Sequence, residues 1–489
     1  MKKGSLTIFS AMCMMFVISA LFVLLEAARV YGLNQYGEWK SEQGIEYAAA
    51  EYQPYLWSEY QLLMLDGGYG TEAFDIGKVT GRVRKAALDR TDYTGGRKNT
   101  AGADLFELQL SHIYEPEYVL VTDEAGTVFL DMLASYMEKK LPKQIAREVY
   151  EKFQNLEQVQ KESPNIDEAI DKAQNSIEAA REGTENTDIP QMDENPFEVA
   201  KEIKSTLKLS AIGFIIPDVE TISTKTVDFK KMIENRELQA GNTAYNTESD
   251  WYRKMLSVEY IMMHCSRYGK ESEDHALDYE LEFIIGGKNE DRKNLEEVIN
   301  KLLLSRTAAN ISYLLSDAEK MADANVIAMS LAGFSGNPAI VKAVEIAIVG
   351  AWAFLEGVQD VRALLMGGKI ALIKTAEQWT TNLSHLKESF HVTSRAKECK
   401  NGWRYEQYLR QMLFFTENET LAYRMLNIME QNLRATDEYK DCRMDDMIVS
   451  FNYRMEFSAT PLFSTMSLIE PKRVKEIIIQ KEKGISYMP

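Results

Sequence analysis

Residues Leu6 to Leu25, LTIFSAMCMMFVISALFVLL, carry no charge, and about twenty apolar residues in succession are what a helix needs to cross a hydrocarbon core. The segment is therefore expected to tie the chain to a membrane. Lys2 and Lys3 precede it, and the positive-inside tendency keeps that end cytoplasmic, so everything after about Tyr31 is expected outside. Glu26 and Arg29 follow where such a helix leaves the bilayer. They are three residues apart on neighbouring turns, a spacing that suits an ion pair at the outer interface.

Three readings of the run compete. A secretory signal has an apolar core of roughly 7 to 15 residues followed by small residues at its cleavage site. This run is longer, and the nearest small-residue site, ending at Ala28, puts Glu26 where a small neutral side chain is required. The stalk of a pilin-like subunit would follow a short basic leader ending in glycine. Lys2-Lys3-Gly4 fits that, with Ser5 as the first mature residue, but the usual glutamate at the fifth mature position is missing because Phe9 stands there. An uncleaved anchor is the expectation, and processing between Gly4 and Ser5 stays open.

Outside the anchor the chain is long enough for a sizeable core and two or three lobes. Of its 489 residues, 27% are charged and 45% hydrophobic, the composition of a folded protein. The formal charge of −18, about −20 once the two cytoplasmic lysines are set aside, disfavours nucleic acid and anionic headgroups as partners. Cys13 falls in the apolar run, which leaves Cys265, Cys399 and Cys442 outside, an odd number and no disulfide framework. Cys399 and Cys442 bracket a helical segment, and a bridge between them becomes possible if that segment folds back on itself.

Along the chain, helical spacing continues through residues 31 to 66, with Gly67-Gly68 as the stop. Phe106 to His112 alternates as a strand, and Tyr118 to Thr122 is its expected antiparallel partner across Glu115-Pro116-Glu117. Pro142 opens a helix with Ala146, Val149, Phe153 and Leu156 on one seam. Ile170, Ala173, Ile177 and Ala180 repeat the spacing after Ser163-Pro164, so the two read as a hairpin projecting from the body. Residues 183–196 are acidic and nearly free of apolar side chains, a candidate linker. Phe197 to Leu207 is expected as a short helix, Ile212 to Ile216 as a buried strand or turn, and Leu277 to Ile285 as a strand stopped by Gly286-Gly287. Asn289 to Leu386 is mainly helical, and its apolar Ile340 to Gly357, interrupted by Lys342 and Glu345, is expected as a core helix rather than a second span. Tyr405 to Phe415 and Leu421 to Leu433 form two more helices, and Met447 to Phe457 a last strand that returns to the sheet.

No GxSxG, P-loop, GxGxxG, HExxH or EF-hand loop is present. His112, His264, His275, His385 and His391 are scattered, with no pair at ligand spacing on one helix, and His264-Cys265 is a lone couple. No catalytic, cofactor or metal site is expected. The densest polar group is Glu356, Asp360, Arg362, Lys369 and Lys374, flanked by Trp352 and Trp379. Glu356 and Asp360 share an otherwise apolar helix face, so they have to be paired or exposed. Structural ion pairing across the Gly367-Gly368 turn is the expectation, since no nucleophile or ligand set accompanies them.

KKGSLTIFSA through LLEAARVYG, YLWSEYQLLMLDGGYG, LDYELEFIIGGKNEDRKNLEEVINKLLLSR, WAFLEGVQDVRALLMGGK and RYEQYLRQMLFF with RMLNIMEQNLR resemble, in order, an uncharacterised family of bacterial envelope proteins. The resemblance implies a single-anchored protein of mainly anaerobic Gram-positive bacteria, often encoded beside Tad (tight adherence) pilus genes. The anchor looks like those of TadE and TadG pseudopilins, apart from Phe9.

The expected fold is α+β: a transmembrane helix, then a mostly helical extracytoplasmic body with a small antiparallel sheet and a projecting helical hairpin. Residues 1–30 are tip and anchor, 31–182 the proximal helix, sheet and hairpin, 183–196 the linker, and 197–489 the helical body, whose strand near 447–457 rejoins the sheet. The expected function is a non-enzymatic component of a Tad-type pilus or secretion apparatus, with membrane and protein partners and no nucleic acid. A wall-polymer enzyme working through Glu356 and Asp360, or an adhesin reaching out with the hairpin, are the alternatives.

Overall fold

The apolar run does not end as a separate helix. In the computed structural model, which describes residues 2–71, 73–88, 106–163, 165–182, 195–246, 250–383, 395–463 and 476–488, it is the first half of α1, an unbroken 48-residue helix over Lys2–Ala49. The helix stops at Ala49, short of the expected Gly67-Gly68, because Pro54 opens a new helix, α2 (Pro54–Tyr60), that a continuous one could not contain. Leu6, Phe9, Met12 and Phe16 are each more than half exposed, whereas Leu33, Ile45, Ala48 and Ala49 are buried.

The chain forms two compact units, one of Met1–Met132, Glu237–Thr247 and Leu433–Pro489, the other of Leu133–Arg236 and Glu248–Asn432. Each is assembled from separate stretches, which a partition in chain order at 182 and 197 does not capture. The linker over 183–196 lies, but for its last two residues, outside the described residues.

The first unit is a sheet backed by helices. Its strands are β1 (Leu65–Asp66), β2 (Gln109–Ile113), β3 (Glu117–Leu120), β4 (Met447–Ala459) and β5 (Ile477–Ser486), with α3 (Ile76–Leu88) packed on α1. β4 is the spine. Its alternate residues Phe451, Tyr453, Met455, Phe457 and Ala459 enter the core, and every other strand pairs antiparallel with it. β2 and β3 do not form the pairing expected across Pro116. They run in line along one edge of β4, β2 against Met455 to Ser458 and β3 against Ile448 to Asn452. Pro116 has no N–H to give to the ladder, so the edge is interrupted there rather than folded into a hairpin. β5 takes the opposite edge from Ser450 to Ala459, so β4 is not the last strand. α1 lies across β5 and β4, and a Cβ at Gly37 would fall in van der Waals range of Ile479, Leu108 and Phe457.

α4 (Thr127–Glu138) carries the unit boundary at Met132. The second unit is helical: α5 (Lys143–Glu162), α6 (Ile166–Glu182), α7 (Pro196–Ile215), α8 (Trp251–His264), α9 (Glu280–Gly286), α10 (Asp291–Ser316), α11 (Ala318–Ala332), α12 (Pro338–Leu365), α13 (Tyr405–Phe415) and α14 (Asn418–Arg434). Asn195 and Asn337 cap α7 and α12, each ahead of a proline in the first turn. α12 is the centre, surrounded by α6, α7, α10 and α11. By length and composition α1 and α12 both suffice to cross a membrane, but 6% of the apolar window is buried in α1 and 61% in α12. α12 is a core helix.

Three expectations are corrected in this unit. α5 and α6 do not project as a hairpin: the buried seam of α6 packs along α12 and that of α5 along α10 and α8. Ile212 to Ile215 is the last turn of α7, not a strand. Leu277 to Ile285 contains α9, and all of Glu280 to Ile285 is buried, so the alternation of Tyr279, Leu281 and Phe283 marks no sheet face.

Candidate functional site

Glu356 and Asp360 stand one turn apart on α12, fully buried, where ionised carboxylates require compensation. It comes from two directions. Gly367, at φ 84°, ends α12 in a left-handed turn in which the Gly367 N–H bonds Leu364 O and the Gly368 N–H bonds Ala363 O. The chain beyond it brings Lys374, Thr380 and Thr381 over the carboxylates. Lys374 pairs with Glu356 and, at 2.6 Å, with Asp360 Oδ1. Glu356 also accepts the N–H groups of Thr380 (3.0 Å) and Thr381 (2.8 Å) and the Thr381 hydroxyl (2.8 Å). From α10, Arg306 Nε and Asn310 Nδ2 each donate to Asp360 Oδ2 at 3.0 Å, and Arg306 continues to the Tyr408 hydroxyl and Leu372 O, both 2.9 Å. Burial pushes the Asp360 carboxyl up, but Arg306 and Lys374 together outweigh it and hold it below the usual carboxylate range.

Two cations thus face two anions in a site closed to solvent. Trp352 adds a bond to the Thr381 hydroxyl (2.9 Å) and meets Trp379 edge to face. Of the five predicted residues, the structure brings Glu356, Asp360 and Lys374 together. Arg362 points elsewhere: its guanidinium donates to Phe214 O at the end of α7 and covers the Phe214 ring at 4.6 Å, and burial lowers its pKa to about 10. Lys369 is half-buried and accepts the Cys399 N–H on its backbone carbonyl at 2.9 Å. Arg306 was missed by the sequence reading. The signal for it is a lone arginine amid LLLSRTAAN, since a cation in an apolar helix face demands a buried carboxylate.

A second buried constellation centres on α9. Glu280 accepts the Ser266 N–H (2.8 Å) and Asn432 Nδ2 (2.7 Å) and lies 2.9 Å from His275 Nδ1. Asp291 accepts the Ser223 hydroxyl at 2.7 Å and the Asp278 N–H at 2.9 Å. Glu282 Oε1 accepts the Tyr405 hydroxyl at 2.6 Å and the Tyr268 N–H at 3.1 Å, while its Oε2 has no hydrogen-bond partner among the described residues. Burial raises the Glu282 pKa to about 7 against the pull of those bonds. A groove of about 1280 Å³ elsewhere in this unit, lined by Lys204, Leu207, Lys301, Leu304, Phe415 and Arg424 among others, includes none of these carboxylates.

In the first unit the polar site is at the exit of the apolar run. Arg29 Nη1 bonds Glu26 Oε1 at 3.0 Å, and the same guanidinium donates to Thr460 O and Phe106 O, both 2.9 Å. Gly4 and Ser5 lie in the first turns of α1. Cys399 and Cys442 form no bridge, which corrects that reading of the sequence; both are free thiols, and they belong to different units. Cys442 is buried 3.5 Å from Asp66 Oδ2, and burial together with that carboxylate pushes its pKa up to about 12. Cys265 packs on Met425, S to S 3.3 Å, and His264 stacks on Tyr260, so this couple serves the core. His385 and His391 lie outside the described residues, among which no group of His, Cys, Asp or Glu has the arrangement of a metal site.

The model of a family of unknown function, DUF5702, matches residues 186–459, more than half of the chain, and the chain belongs to that family. No curated protein and no solved structure matches it.

Proposed function

We propose that this DUF5702 member is a non-enzymatic, single-pass membrane protein, N-terminus in the cytoplasm and body outside, that serves a Tad-type pilus or secretion apparatus as an assembly factor or minor pseudopilin-like subunit. The observation that carries this reading is α1. One helix without a break exposes about twenty apolar residues and then supplies Leu33, Ile45, Ala48 and Ala49 to the core of the sheet. Such a helix couples a membrane segment rigidly to a folded body, as a stalked subunit requires. The resemblance of the anchor to those of TadE and TadG supports the pilus association, and the acidic body suits cations or basic wall components outside the cell.

The enzyme alternative is disfavoured by the full burial of Glu356 and Asp360 and by the donors already occupying them. The adhesin alternative is disfavoured by the packing of α5 and α6 on the bundle.

The test is the mass of the N-terminal peptide, with external protease accessibility of the body, on protein recovered from membranes and from sheared surface filaments. A chain starting at Ser5 in the filaments is expected for a subunit. An intact start in membranes with an accessible body is expected for an assembly factor. A body protected from external protease overturns the reading.

A further inference from the structure

The ring of Phe463 stacks on that of Phe22, with centroids 6.4 Å apart and planes inclined by 17°. Phe22 is three residues short of Leu25, the end of the uncharged run, so where that run spans a bilayer Phe22 sits about 5 Å inside the outer hydrocarbon boundary. A side chain stacked on it shares that depth. The chain reaches this level through Thr460, Pro461, Leu462 and Phe463, which leave the end of β4.

The backbone of this tip is fitted for a medium without water. The N–H groups of Leu462 and Phe463 both donate to Glu26 Oε2, at 3.0 and 2.5 Å. Thr460 O accepts from Arg29, and Pro461 has no N–H to satisfy. Two buried, mutually paired side chains of α1 thereby meet the polar groups that would cost most in hydrocarbon. Leu462 and Phe463 keep part of their apolar surface exposed. Tyr31, about 9 Å beyond Leu25 along α1, is exposed close to the interfacial layer, whereas Tyr36 and Trp39 stand above it.

We infer that residues 460–463 are a second membrane contact, with Leu462 and Phe463 seated beside α1 at the acyl–headgroup boundary of the outer leaflet. This inference rests on the reading of α1 as a bilayer span. The occupant of the exposed face is lipid, because the tip continues the apolar surface of the anchor at the anchor's own depth. The first unit then meets the bilayer at two points and does not swivel about a single helix.

The experiment places the photoreactive residue p-benzoylphenylalanine, one position at a time, in the full chain reconstituted into phosphatidylethanolamine–phosphatidylglycerol vesicles, and reads lipid adducts by mass. Positions 463 and 462 report the tip, and the second keeps the test open should the first variant fail to fold. Position 12, 66% exposed in the apolar run, reports the span, and position 57, 42% exposed on α2, reports the body. Adducts are expected at 12, 462 and 463 and not at 57. Glu26→Ala, which removes the acceptor of both N–H groups, is expected to lower the adduct at 463 several-fold and leave that at 12 unchanged. An adduct at 12 without one at 462 or 463 overturns the second contact and spares the anchor. No adduct at 12 overturns the anchor itself, and protein rather than lipid adducts from 463 overturn lipid as the occupant.

Discussion

Asp360 shows how much depends on one carboxylate in a closed site. Its ionised form faces Arg306 and Lys374 in a site buried from solvent. Removing one member of a buried pair leaves the other uncompensated, so Asp360→Ala is expected to cost about 3–5 kcal/mol, read as the loss of denaturation free energy of the full chain in detergent. Arg306→Met combined with Asp360→Leu should cost less than the two single changes added together. A catalytic pair would behave differently, losing activity at near-normal stability. Glu282 makes a separate prediction. Its folded pKa of about 7 lies above its ordinary value of 4.5, so the native state holds this proton more tightly than the unfolded chain does. The group's penalty is absent below the lower value and grows as pH rises through the window to its full size above the higher. The melting temperature is therefore expected to fall between pH 5 and 7.5 by more in the natural protein than in Glu282→Gln. Equal slopes in a thermal pH series would refute this.

At the scale of elements, ends and pairings were harder to read than interiors. The alternation of Met447 to Phe457 marks a strand correctly, because a strand with one buried face writes period two into its own side chains. The same alternation at Tyr279 to Phe283 misleads, since α9 is buried on all sides and its glutamates are inside with their partners. β5 is not legible in the sequence because its run IIIQKEKGIS has only Ile479 buried, the mark of an edge strand. Gly367 is legible as a stop and is also testable. A Cβ there meets nothing within 4 Å, so Gly367→Ala carries only the cost of the left-handed conformation, about 1 kcal/mol, measured by denaturation. The strap that delivers Lys374 to Glu356 starts from this turn.

For the whole molecule the decisive element is α1, whose first half is apolar and exposed and whose second half is packed into the sheet core. Deleting residues 1–25 removes exposed apolar surface and no buried apolar side chain of the sheet core, so that chain is expected to leave the membrane fraction and still melt cooperatively. Deleting residues 1–50 removes Leu33, Ile45, Ala48 and Ala49 as well, and the first unit should then fail to fold, seen as lost cooperativity and rapid proteolysis. If the shorter deletion already unfolds the protein, the apolar half of α1 has a structural duty that its exposure does not suggest.

The apolar run, the helices of α10 to α14, the β4 strand and the need of Glu356 and Asp360 for partners were determined by the sequence alone, because length, charge and periodicity are local properties that state which face must be hidden. What hides it was decided by the tertiary structure. Arg306 reaches Asp360 across 54 positions, and Glu26 receives the backbone of Leu462 and Phe463 from the other end of the chain. β2 and β3 lie in line on a strand more than three hundred residues later. A pattern of buried positions carries no address for its partner, so these contacts exist only once distant segments compete for the same surfaces and the best-compensated packing wins.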